Sequence, residues 1–112
     1  MASTLPPAEL LALDTLVTPT AQGIASRVLA RTAAGNITLF AFDSGEELSE
    51  HTAPFDALAI TLSGALLLTI GGREVQTTPQ TAVLMPANVP HAVRATEQSR
   101  MLLIMLREQE RG

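Results

Sequence analysis

At 112 residues and 11.8 kDa the chain has room for one domain, since a second core would need roughly another hundred residues. Hydrophobic residues make up 46% and charged residues 16%, which excludes a disordered or collagen-like chain. The net charge of −4 speaks against nucleic-acid binding, and the absence of cysteine removes disulfides, thiolate metal sites and thiol nucleophiles. All the basic residues are arginine, so no lysine is present to form a Schiff base or bind phosphate in a P-loop.

Residues 1–10 carry no basic residue ahead of an apolar stretch, so no secretory signal is expected there. The longest apolar runs, 65–68 and 101–106, fall far short of the ~18 residues that span a bilayer. The expectation is a cytoplasmic protein with no membrane partner. Residues 1–22 read as a lead-in, with Pro6 and Pro7 opening a helical turn or two over 8–13. From residue 23 the pattern is β. Residues 24–31 alternate, 34–36 form a turn, and 37–42 are rich in β-branched and aromatic side chains. An acidic turn at 43–47 leads into a short strand over 48–53, stopped by Pro54. The apolar stretch 56–70 is interrupted by Gly64, which predicts a bend or tight turn. Gly71-Gly72 is a hairpin signal into 73–78. Strands are expected over 82–85, 91–95 and 101–107, with the rigid loop 86–90 between the first two.

Short strands about ten residues apart, separated by Gly, Pro and Asn, predict an all-β sandwich or barrel. Gly or Pro interrupts nearly every window long enough for a helix bundle. In the last strand Met101, Leu103 and Met105 face one way and Leu102, Ile104 and Leu106 the other. Both faces are apolar, so a second layer is needed: the N-terminal segment or a second copy in a homodimer.

Residues 45–64 and 80–91 carry a recognisable pattern. Gly45, His51 and Gly64 fit the spacing G-x5-H-x-H-x3-E-x6-G, and Pro86, Pro90 and His91 fit G-x5-P-x-G-x2-H-x3-N. On these motifs residues 36–106 resemble the cupin superfamily, closest in style to its short, single-domain, RmlC-like members. The resemblance implies a double-stranded β-helix, or jelly-roll, barrel over 23–112. It also implies a pocket where the two motifs meet.

The departures bear on function. The positions of the family's second metal-binding His and its Glu are Ala53 and Ala57, so only His51 and His91 remain of four expected ligands. Gln80, Asn88 and Ala95 replace the second motif's two glycines and its Asn. Asn88 is expected at positive φ, which Asn tolerates where the family uses Gly. A metal, if held, would be a weakly bound divalent ion on His51 and His91. Asp56 is a candidate third ligand only if Pro54 introduces a bulge, since in an unbroken strand Asp56 points away from the histidines. Glu46, Glu47 and Glu50 read as solvated turn residues.

Met85, Met101 and Met105 read as core. The expected pocket is lined by His51, His91, Ala53, Ala57, Ala59, Thr61 and Met85, and is roomy and dry because of its small residues. The reading is a protein that binds a small, mostly apolar molecule. The alternative is a metal-dependent cupin enzyme of the dioxygenase or isomerase type. The metal-free sugar epimerases that the resemblance also brings in pair a His with a Tyr, and this chain has no Tyr.

Overall fold

The computed structural model describes residues 4–107. Within them a short helix α1 (Leu13–Leu16) precedes nine strands. These are β1 (Ile24–Thr32), β2 (Gly35–Phe42), β3 (Glu47–His51), β4 (Asp56–Ser63), β5 (Leu66–Ile70), β6 (Arg73–Gln76), β7 (Thr81–Met85), β8 (His91–Ala95) and β9 (Ser99–Leu106). They form a five-stranded sheet in the order β1-β2-β9-β4-β7 and a four-stranded sheet in the order β3-β8-β5-β6. All pairings are antiparallel, which gives a jelly roll.

The side-chain period of two divides each strand between the interior and the outside. On β4 the buried positions are Ala57, Ala59 and Thr61, and on β8 they are His91, Val93 and Ala95. Phe42, Leu66, Leu68, Met85 and Met101 join them in the core between the sheets, all at 1% exposure or less. Gly64 lets the long apolar stretch serve both sheets. Its φ of +79° makes the bend, and a Cβ there would collide with the Gln98 carbonyl and Ser99. Gly71 and Gly72, at φ 56° and 84°, close the β5–β6 hairpin with the positive angles a two-residue turn needs.

Besides shifts of one or two residues at strand ends, three differences from the sequence reading change the path of the chain. The N-terminal helix is one turn at Leu13–Leu16 rather than at 8–13, because Ala8 at φ 63° breaks the chain direction. Gly35 and Asn36 already pair in β2, so the turn sits just before them. β3 ends at His51, and residues 52–55 cross to the other sheet before β4 begins.

The outer face of the five-stranded sheet holds a second apolar cluster. Leu5, Leu16 and Val17 of the N-terminal segment pack against Leu29, Leu39, Ala41, Leu62 and Leu102. The Leu5 amide donates to the Leu29 carbonyl (2.8 Å), and the Arg100 guanidinium to the Val17 carbonyl (3.4 Å). The lead-in thus covers one part of the second apolar face of β9. No helix among the described residues is long and apolar enough to cross a membrane.

Asp43 ties the end of this lead-in to the barrel. Its carboxylate accepts from the amides of Gln22 (2.7 Å) and Ser44 (2.9 Å). These bonds, that from Gln22 first, hold its pKa below the ordinary 3.8. A carboxyl with a lowered folded pKa adds stability that is complete above its unfolded value and is lost as pH falls through the folded one. Asp43→Asn should therefore remove part of the acid-side loss of stability below pH 3.8, read as a flatter curve of denaturation midpoint against pH. An unchanged acid limb would show that the clamp contributes nothing.

Candidate functional site

His51 and His91 are forty residues apart in sequence and directly opposite each other in the β3–β8 ladder. A bulge between Leu48 and His51 sets this register: three steps on β3 match two on β8, which turns both Leu48 and His51 inward. The two imidazoles meet edge to face, with ring centroids 4.3 Å apart. His91 is 5% exposed, whereas His51 opens to solvent. The pair therefore sits at one end of the barrel, His91 within and His51 at the rim.

Each ring is held the same way. His51 Nδ1 lies 2.8 Å from the Ser49 carbonyl, and His91 Nδ1 lies 3.1 Å from the Val89 carbonyl. A carbonyl oxygen only accepts, so each Nδ1 carries the hydrogen and each neutral ring keeps its lone pair on Nε2. Neither Nε2 makes a hydrogen bond among the described residues. Two nitrogen acceptors, on rings 4.3 Å apart, are thus left without a partner among the described residues.

The loop 86–90 delivers His91 and is pinned from three sides. Ala87 N–H donates to Asp56 Oδ1 (2.8 Å), Asn88 N–H to the Ala53 carbonyl (2.7 Å), and Gly71 N–H to the Pro90 carbonyl (2.8 Å). Asn88 takes φ 63°, the left-handed position expected of it. Gln80, at the other position where the motif has Gly, takes φ 68°.

The remaining candidate residues fall in different places. Ala57, Ala59 and Met85 lie on the inner face and are 1–3% exposed. Met85 stands opposite Ala57 and joins it in the core. Thr61 lies deeper, its hydroxyl 2.7 Å from that of buried Thr77. Ala53 is half-buried in the crossing segment.

Asp56 does not join the histidines, and its candidacy as third ligand is corrected. β4 resumes at Asp56 with Ala57 inward, so Asp56 stands opposite Leu106 on the outer face and spends its carboxylate on the Ala87 amide. No three His, Asp or Glu side chains come together as a metal site among the described residues. Two imidazoles do not make the donor set of a firmly held catalytic metal, which takes three or more protein ligands.

Sequence reasoning missed the residues that share the histidine row. In the four-stranded sheet His51, His91, Ile70 and Arg73 stand in one register line. In the five-stranded sheet Arg31, Asn36, Met105, Ala57 and Met85 stand in a register line of their own. Only the ladder register reveals these neighbours. The Gly71-Gly72 turn was the available clue, since it fixes Ile70 opposite Arg73.

A jelly roll of two sheets with a histidine pair at one mouth defines the class. The chain belongs to the cupin family: it matches the Cupin domain over residues 38–107. A conserved protein of unknown function from Streptococcus pyogenes is 30% identical, with 97% of this chain and 96% of that one covered and a TM-score of 0.90. A cupin superfamily protein from Desulfitobacterium hafniense is 28% identical over 96% of this chain and 99% of its own, at TM-score 0.87. A cupin 2 conserved barrel domain protein from Leptotrichia buccalis is 33% identical over 83% of this chain but 45% of its own, at TM-score 0.80. No curated protein matches the chain.

The donor set makes the metal question measurable. Mass spectrometry of the purified protein should find well below one equivalent of divalent metal. Whatever ion is bound should leave on acidification, because only neutral imidazole coordinates. Ala53→His with Ala57→Glu should raise Zn²⁺ or Ni²⁺ affinity by at least about tenfold. A wild type that keeps one equivalent through gel filtration would mean that a ligand other than His51 and His91 completes the shell.

Proposed function

We propose that this cupin binds a small molecule at the mouth of its barrel, with His51 and His91 as the polar contacts, and that it does so without a firmly held metal. The observation that carries the reading is the pair of oriented rings. Both Nδ1 atoms are occupied by carbonyls, so both Nε2 atoms are left to a ligand. Neutral Nε2 accepts, which suits a hydroxyl or amide donor on the ligand. Behind the rings the walls are apolar: Ile70, Val93, Leu103 and Met105 pack together on the inner faces. A few polar groups on apolar walls is the usual make-up of a small-molecule site. A metal-dependent dioxygenase or isomerase is less well supported, because the inward-facing donors end at two imidazoles.

The second copy foreseen for the far face is part of the same proposal. Leu58, Ile60, Leu84, Ile104 and Leu106 share the outer side of β4, β7 and β9, and Leu84 and Leu106 are each 53% exposed. The N-terminal cluster reaches Leu62 and Leu102 and stops there. We assign the uncovered part to a homodimer contact.

Both parts can be tested. In amide NMR spectra, titration with small hydroxylated apolar probes such as cyclohexanol should shift signals of residues 51 and 89–91, and His91→Ala should abolish the shifts. Shifts confined to other surfaces would refute the site. Light scattering should give twice 11.8 kDa for the wild type and the single mass for Leu84→Glu. A wild-type monomer at micromolar concentration would refute the dimer.

A further inference from the structure

The row that holds the histidines ends in an arginine. Ile70 packs into the barrel core, and the two-residue turn Gly71-Gly72 places Arg73 directly opposite it. Directly opposed residues of an antiparallel pair lie on one face, so Arg73 starts from the same inner face as Ile70, His91 and His51. Its backbone stands two strand spacings from that of His91, about 10 Å. Glu74, the next residue, stands opposite Thr69 on the other face.

The hairpin cannot drift away from the histidines. Gly71 N–H donates to the Pro90 carbonyl, immediately before His91, and Val89 packs against the Gly71 backbone. The guanidinium itself is exposed and makes no ion pair or hydrogen bond among the described residues. The inner faces of both sheets carry no Asp or Glu among the residues paired in the registers, and Glu50, unpaired in the β3 bulge, is exposed. A protein of net charge −4 therefore keeps its carboxylates off the walls of this barrel.

We infer that the ligand of this mouth is a small monocarboxylic acid, its carboxylate on Arg73, its apolar body over Ile70 and its far polar end on the histidine Nε2 atoms. The inference rests on the pocket reading above and adds the chemical class of the ligand. The planar guanidinium fork matches a carboxylate in two parallel hydrogen bonds. In this row a doubly charged phosphate would find a single arginine, no lysine and no helix N-terminus.

The test compares 6-hydroxyhexanoate with its neutral amide, 6-hydroxyhexanamide, by amide NMR titration of the wild type, Arg73→Gln and Arg73→Lys. The acid should shift signals of residues 70–73 and 89–91 and bind at least about tenfold more tightly than the amide. Arg73→Gln should erase that preference, and Arg73→Lys should keep part of it. Arg73 is exposed, so unchanged spectra elsewhere will verify folding of the variants. If acid and amide bind the mouth equally, or Arg73→Gln binds the acid as the wild type does, the carboxylate inference fails and the pocket reading stands. If neither probe moves the mouth signals, the pocket reading fails and the inference falls with it.

Discussion

The loop 86–90 is the constraint on which the site depends. Three backbone hydrogen-bonding groups, on Ala87, Asn88 and Pro90, reach three different parts of the fold: the start of β4, the crossing segment and the β5–β6 hairpin. β4 belongs to one sheet and the hairpin to the other, so the loop joins both sheets at the mouth. His91 follows immediately, and its ring is locked by the carbonyl of Val89 in the same loop. The two prolines restrict the backbone on either side. A ring placed this way loses little freedom when a ligand binds, which favours recognition over adaptability.

This arrangement gives Asp56 a role different from the one its proximity to His51 suggests. A carboxylate near two histidines invites a metal reading, yet the same group is needed to satisfy a backbone amide of the loop. An amide left without an acceptor costs about 1–3 kcal/mol when shielded from water. Asp56 thus positions His91 indirectly, through the loop, while facing away from it. The crossing segment supplies the second tie through the Ala53 carbonyl, a backbone contact that places no demand on the Ala53 side chain.

Much of the fold was legible because its signals are local. Gly64 and Gly71-Gly72 mark turns through positive φ angles that few residues tolerate, and the prolines mark strand ends and loops. The two motifs placed His51 and His91 together, as the ladder shows. Other features were hidden for physical reasons. The bulge before His51 and the exit of residues 52–55 to the opposite sheet depend on tertiary pairing, so strand parity could not be carried from His51 through to Asp56. The partnership of Arg73 with the histidines needs three ladders at once, β3–β8, β8–β5 and β5–β6, and no single segment contains it.

The charge distribution limits how an anion could reach this mouth. At net charge −4 the protein as a whole repels anions weakly, and salt screens that field beyond roughly 8–10 Å at physiological ionic strength. Long-range steering therefore contributes little, and selection must occur at contact. There the balance reverses, because Arg73 is the sole formal charge in its register row and the histidine rings beside it are hydrogen-bonded to carbonyls, not carboxylates. Ala57, at the position of the family's Glu, belongs to the same logic: it is buried on the inner face and brings neither a metal ligand nor a negative charge there. One substitution thus weakens the case for a cation at this mouth and strengthens the case for an anion.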